Sequence, residues 1–271
     1  MGGRTVIAYH RAQSLAEALG LLAEHPDRIT PLAGGQSLLP ALRAGRTTAA
    51  TLLDIGHLAE LRHLEDRGDT IAIGAATRHH ELAGSELLAA RAPALRAAAA
   101  AIADPQVRHM GTIGGSLANA DPAADLAVAG LALDAQAVIE GPRGRRTAGL
   151  DALRLEAGEL VVEVLVPVPS GAWSYQKFSR NALDWAIVGV VAVMSDPGGP
   201  ARVALSGMGP AVVRAPAVEE ALARGLGAHA AAELADDGTT PPSDPRADPD
   251  YRRHLARVLV RRALEEIGVP A

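Results

Sequence analysis

Two short glycine-paired loops, Ala33-Gly34-Gly35-Gln36-Ser37 and Thr112-Ile113-Gly114-Gly115-Ser116, each follow an apolar segment and carry hydroxyl side chains beside the glycines. Glycine has no Cβ, so the backbone N–H groups of such a pair can come close to phosphate oxygens, and Ser37, Thr112 and Ser116 add donors of their own. Two cradles of this kind in one chain suit an extended dinucleotide pyrophosphate held between two subdomains.

The residues around the loops predict their setting. Ser14-Leu15-Ala16-Glu17 has the form of a capping box and starts a helix that ends near His25-Pro26. Ile29 to Leu32 reads as a short strand entering the first loop, with a helical turn over Leu38 to Leu42 after it. Thr51 to Ile55 and Thr70 to Gly74 read as further strands, and Arg91 to Ala103 as an alanine-rich helix leading to the second loop. Beyond that loop the pattern predicts a helix over Ala123 to Leu133 and strands at Ala137 to Glu140 and Val161 to Val166. Past Pro167-Val168-Pro169 it predicts strands at Trp173 to Phe178, Ile187 to Met194 and Ala201 to Leu205. Asp196 to Pro200 turns a hairpin between the last two. Asp236 to Asp250, dense in Pro and Asp, reads as a surface loop, ordered or mobile. A closing helix runs from about Tyr251 to Ile267 with Leu255, Val258, Leu259 and Ala263 as its buried stripe. Arg252, Arg253, Arg257 and Arg261 flank that stripe as a solvated face or a subunit contact.

Composition narrows the chemistry. The chain of 271 residues has no cysteine, which removes disulfides, thiol catalysis and iron–sulfur ligation, so any redox chemistry must use a borrowed cofactor. A net charge of −5 and 2% aromatic residues argue against a broad polyanion-binding surface. Arg143, Arg145 and Arg146 sit in a Gly-Pro turn and read as a solvated hairpin tip. His79-His80 is the only adjacent histidine pair, and neighbours in a helix point in different directions, which disfavours a metal site. With no long apolar run and no leader-like N-terminus, a cytoplasmic location is the default. Neither the Walker lysine pattern nor a Gly-x-Gly-x-x-Gly run between strand and helix is present, and Gly207-Met208-Gly209 reads as a turn.

Three runs, PLAGGQSLLP (Pro31 to Pro40), IADPQVRHMGTIGGSLANADPAADL (Ile102 to Leu126) and KFSRNALDWAIVG (Lys177 to Gly189), together resemble the FAD-binding medium subunit of molybdenum hydroxylases. That family includes the carbon monoxide dehydrogenase medium chain and the flavin domain of xanthine dehydrogenase. The resemblance implies an α+β fold: a two-subdomain, PCMH-type FAD-binding domain over residues 1–170, then a smaller C-terminal domain over 171–271 with a short antiparallel sheet and helices. It implies FAD in the cleft, with Ala33, Gly34, Gly35, Gln36 and Ser37 on one side of the pyrophosphate and Thr112, Ile113, Gly114, Gly115 and Ser116 on the other. Leu32, Leu38, Ile102 and Ala103 would line apolar parts of the cofactor, and Asn119 lies just past the second loop. Asp125 falls where the family places an acidic residue on sugar or ribityl hydroxyls, Leu160 and Val161 where a strand contacts the flavin ring, and Lys177 where a lysine stands near it.

The residues themselves leave alternatives. Asp125 also suits the first turn of a helix, complementing its dipole. Lys177 equally suits the surface, Trp185 reads as a core aromatic in preference to a cover for a flavin face, and Arg108 suits either a cofactor phosphate or a partner. The resemblance further implies a molybdopterin-containing large subunit and a 2Fe–2S small subunit as partners. This chain would then pass electrons from the iron–sulfur clusters through FAD to an external acceptor. A stand-alone FAD oxidase or dehydrogenase, or a cofactor-free assembly partner, remains open at this stage.

Overall fold

Parallel strands need crossovers, and the first fifty residues supply helical ones. The computed structural model describes residues 7–271. Its first subdomain runs β1 (Ala8–Arg11), α1 (Leu15–Glu24), β2 (Ile29–Leu32), α2 (Leu38–Arg43) and β3 (Thr51–Asp54), with the three strands all parallel in the order β1-β3-β2. Ser14 Oγ caps α1 by accepting the Glu17 N–H at 3.1 Å, while the Glu17 carboxylate accepts from Gln13 N–H rather than closing the box on Ser14. The first glycine loop lies at the carboxyl end of β2, where open parallel sheets place their ligands.

The second subdomain begins with β4 (Leu64–Asp66) and β5 (Thr70–Gly74) and continues through α3 (His79–Gly84), α4 (Glu86–Arg91), α5 (Pro93–Ala100), α6 (Pro105–Met110), α7 (Ile113–Asn119) and α8 (Asp125–Ala132). It closes with β6 (Gln136–Gly141), β7 (Gly144–Gly149) and β8 (Leu160–Pro167). The helix predicted over Arg91 to Ala103 is shorter. Pro93 keeps Ala92 out of helical geometry (φ −143°, ψ 58°), so α4 and α5 are separate. Ala103 turns the chain at φ 39°. The sheet order is β4-β5-β8-β6-β7, antiparallel throughout, so the last strand enters the middle. From there β8 faces both cores: Leu160 and Val162 pack with Leu22 and Leu53 of the first subdomain, Val161 and Val164 with Ile71 and Leu126.

The C-terminal part forms β9 (Trp173–Phe178), β10 (Val188–Met194), β11 (Ala201–Ser206) and β12 (Val213–Arg214), antiparallel in the order β12-β11-β10-β9. Then come α9 (Pro216–Ala223), α10 (Ala228–Ala232) and α11 (Pro249–Glu266). Val191, Val193 and Ala204 face the core that holds α8, while Val190, Ala192, Val203 and Leu205 face α11. A sheet covered on both sides explains why β10 is apolar without alternation. Every residue of α8 is buried for the same reason, since it packs against α5 behind and β10 and β11 in front.

Two expectations for the C-terminal helix change. Val258 sits at the edge of the stripe, and Ala256, Val260 and Leu264 join Leu255, Leu259 and Ala263 inside. Arg252 is 1% exposed rather than solvated: it donates to Asp244 at 2.9 Å and to the carbonyls of Ile187 and Gly207. The Pro- and Asp-rich loop is thereby pinned to the helix, as it is again by Arg257 on Asp236 at 2.6 Å. Among the described residues no helix is long and apolar enough to cross a membrane.

Candidate functional site

The two glycine loops face a cleft of ≈ 500 Å³ between the subdomains. In the first loop the backbone N–H groups of Ala33, Gly34, Gly35, Gln36 and Ser37 have no acceptor among the described residues. Five consecutive free donors beside a cleft demand water or a ligand, because buried N–H groups are otherwise paired. Gly35 takes φ +71°, a conformation natural to glycine, and a Cβ at Gly34 would run into the Met110 carbonyl and stand 2.7 Å from Gly111 Cα. The loop's shape therefore rests on both glycines.

The second loop differs from the first. Ile113 N–H donates to Thr77 O at 3.1 Å, Gly114 N–H to Ala75 O at 2.9 Å and Ser116 N–H to Thr112 O at 3.0 Å, while Thr112 Oγ1 caps Gly115 N–H at 3.3 Å. Four of its five amides are thus engaged within the protein, Thr112 N–H having no acceptor among the described residues, and the expected symmetric pair of amide cradles becomes one donor-rich loop facing one closely packed turn. A Cβ at Gly114 would stand 2.5 Å from Ala75 Cβ, so that glycine serves packing. Gly115 instead faces the cleft: past Thr112 Oγ1 at 2.8 Å, a Cβ there meets only Ala33 Cβ at 4.0 Å. Ile113 is a correction, being 1% exposed and in the core with Ile71 and Leu126 rather than on the cleft. Ser37, Ser116 and Asn119 line the cleft with no side-chain hydrogen bond among the described residues.

Leu32, Leu38, Ile102, Ala103, Leu160 and Val161 give the cleft its apolar wall, together with Leu155. Arg108 holds that wall: one guanidinium nitrogen donates to the carbonyls of Ile102 and Ala103, both at 2.7 Å. Asp125 begins α8 and is 5% exposed, and its oxygens already have donors, Tyr175 OH at 2.6 Å and Lys177 Nζ at 3.0 Å. Burial raises the Asp125 pKa against the opposing pull of Lys177 and Tyr175. Lys177 is not a surface lysine, for its side chain is 10% exposed and also donates to Ala101 O at 2.9 Å. Trp185 is a second correction: it is 50% exposed and stands with Leu183 on the cleft, not in the core.

Four titratable cleft residues were not expected there, Asp121, Asp184, His79 and Glu159, and the last two are held far from their ordinary pKa. Burial, with Arg78 and Arg108 nearby, lowers the His79 pKa to about 4, and its Nδ1 is buried with no partner among the described residues. Glu159 is held down to about 2, first by its hydrogen bond from Arg146, whose guanidinium approaches to 2.6 Å. Arg146 thus leaves the solvated hairpin tip, whereas Arg143 remains 68% exposed at the side chain. Nothing local in the sequence places either His79 or Glu159 on the cleft, since Arg108 reaches His79 and Arg146 reaches Glu159 from other segments.

Free amides on one wall, an open glycine opposite and an apolar flank fit a long ligand with a phosphate-bearing middle and an aromatic end. An apolar cleft between an α/β subdomain and an antiparallel one, with a donor-rich glycine loop, defines a dinucleotide-binding protein. The chain belongs to the family of FAD binding domains in molybdopterin dehydrogenase, which it matches over residues 5–169, followed by a CO dehydrogenase flavoprotein C-terminal domain over 173–267.

It is similar to the carbon monoxide dehydrogenase medium chain of Hydrogenophaga pseudoflava, 38% identical with 94% of this chain and 95% of that protein covered. To the glyceraldehyde dehydrogenase medium chain of Sulfolobus acidocaldarius it is 35% identical, covering 96% and 98%. The structure of carbon monoxide dehydrogenase from Hydrogenophaga pseudoflava superposes with a TM-score of 0.91 at 38% identity, covering 96% of each chain.

Proposed function

We propose that this chain is the electron-transferring FAD subunit of a molybdenum hydroxylase-type oxidoreductase. It would work with a molybdopterin-containing large subunit and a 2Fe–2S small subunit, in the cytoplasm. The observation that carries the reading is the run of five unpartnered amides from Ala33 to Ser37, facing Gly115 across the cleft. Bound FAD supplies the exchange of electrons between the iron–sulfur clusters of the partner and an external acceptor. The protein's own residues bind and orient it. Ala33 to Ser37 would donate to the pyrophosphate, Ser116 and Asn119 would supply hydroxyl and amide contacts, and Ile102, Ala103, Leu160 and Val161 would exclude water from the ring. Residues 1–170 form the cofactor domain in this reading, and 171–271 the domain that closes it with Lys177.

Relatives of near-equal likeness bear the names of different substrates, carbon monoxide at 38% and glyceraldehyde at 35% identity. This supports a shared electron-transfer step for the medium chain rather than substrate recognition. The lack of cysteine supports the same division, since the chain holds no thiolate for a cluster. The test is the visible spectrum of the purified chain titrated with FAD, followed by reduction through co-expressed partners. A flavin spectrum at one FAD per chain, reduced only when the partners are present, is the expected result. A chain that stays colourless in excess FAD, or that turns over a small molecule without partners, overturns the proposal.

A further inference from the structure

The cleft reaches into the C-terminal domain through β9 and through the loop that carries Leu183 and Trp185. Along β9 side chains alternate, so Ser174 and Gln176 turn toward α11, where both donate to Glu266 at 2.6 and 2.7 Å. Tyr175 and Lys177 turn the other way, onto the start of α8. Tyr175 OH donates to one Asp125 oxygen at 2.6 Å and Lys177 Nζ to the other at 3.0 Å. An ammonium carries three N–H groups. Lys177 spends one on Asp125 and one on Ala101 O, and the third has no acceptor among the described residues although the side chain lines the cleft.

We propose that Tyr175 is a positioning residue for the flavin cleft: its phenol holds the Asp125 carboxylate as an anion against Lys177, and so tempers the charge Lys177 offers to the cofactor. The proposal rests on the FAD reading above. An uncompensated ammonium on an apolar wall would favour the electron-rich form of a bound flavin strongly, because little solvent screens it. Paired with Asp125, the same ammonium adds little net charge while still orienting a donor. The groups facing Asp125 are Lys177 and Tyr175 from β9 and Asp121 from the loop before α8; the end of α5 contributes the Ala101 carbonyl. Burial already favours the protonated carboxyl, with Lys177 and Tyr175 opposing it. Without the phenol, Asp125 takes up a proton at higher pH and frees the charge of Lys177.

The experiment uses FAD-loaded protein and reads the flavin midpoint potential from pH 5.5 to 8.5, with apo-protein melting as a separate readout. Asp125→Asn should raise the potential throughout. Tyr175→Phe should match wild type at the alkaline end and climb above it as pH falls, reaching about a tenfold change in the relative affinity for reduced and oxidised FAD, or ~30 mV for a two-electron couple. Adding Lys177→Met should cancel that pH-dependent divergence. A Tyr175→Phe potential that tracks wild type at every pH, or one that diverges equally with Lys177→Met, overturns the proposal. A purely structural role would lower the melting temperature and leave the potential in place. If Tyr175→Phe does not fold, Asp125→Asn decides: an unchanged potential refutes the idea. A wild-type chain that binds no FAD removes the cofactor reading itself, which is a distinct failure.

Discussion

Gly34 and Gly115 look alike in the sequence and do different work, which a pair of alanine substitutions separates. A Cβ at Gly34 meets backbone, the Met110 carbonyl and Gly111 Cα at 2.7 Å, and backbone cannot rotate away. Overpacking of this kind costs about 1–3 kcal/mol. At roughly 2–4 °C of melting temperature per kcal/mol, Gly34→Ala should melt about 2–12 °C below wild type. At Gly115 the near neighbour is the Thr112 hydroxyl at 2.8 Å, and the next is Ala33 Cβ at 4.0 Å. Alanine inside α7 gains roughly 0.5–1 kcal/mol of helix stability, offset by about 1 kcal/mol if the Thr112 cap swings aside. Melting should barely change. The added methyl, however, stands in the gap between the loops, where the pyrophosphate would pass. Losing at least about 1.4 kcal/mol of binding, a tenfold weaker FAD affinity, is the expected cost. Calorimetry on apo-protein and fluorescence titration with FAD read the two quantities independently. Wild-type FAD affinity in a well-folded Gly115→Ala protein would refute the placement of phosphate between the loops.

Five further outcomes are expected. Gly35→Ala, at φ +71°, should lose about 1–2 kcal/mol of stability through left-handed strain, measurable by urea unfolding. Arg252→Leu strips donors from the Ile187 and Gly207 carbonyls and should destabilise the C-terminal half by about 1–3 kcal/mol per orphaned group; an unchanged melting temperature would count against the pinning role. His79 has its folded pKa lowered to about 4 against an unfolded value near 6.5, so its neutral form contributes stability above ~6.5 that is lost as pH falls toward 4. His79→Gln should flatten the stability profile across that window. Glu159, lowered to about 2, acts in a more acidic window, its stabilisation present above ~4.3 and lost toward 2; Glu159→Gln should remove that limb of the profile. Lastly, FAD should quench tryptophan emission mainly through Trp185 on the cleft, and Trp185→Phe should remove most of the effect, leaving Trp173.

Much of the architecture was readable along the chain because its signals are local. Alternation and apolar runs gave β9 its bounds and β10 and β11 theirs to within a residue, and the Ser14 cap gave α1 its start. The glycine loops were visible because each pairs two glycines with hydroxyl residues after an apolar segment, and all the expected cleft residues except Ile113 line one cavity. Where the reading missed, the missing information was spatial. Arg252 looked solvated because its partners Asp244, Ile187 and Gly207 come from three separate segments. Trp185 looked like a core residue because size and rarity suggest burial, yet its loop carries it out to the cleft.

By itself the sequence determined which segments are strands, helices and tight turns, together with the chemical types gathered near each glycine pair, since these follow from backbone sterics and periodicity over a few residues. Only the tertiary structure decided which donors stay free. In the second loop the amides of Ile113 and Gly114 are consumed by Thr77 and Ala75 from a neighbouring segment, those of the first are not, and Asp125 meets Tyr175 and Lys177 across fifty residues of chain. Hydrogen-bond satisfaction is settled by what lies within about 3 Å in space, and no local pattern encodes that neighbour.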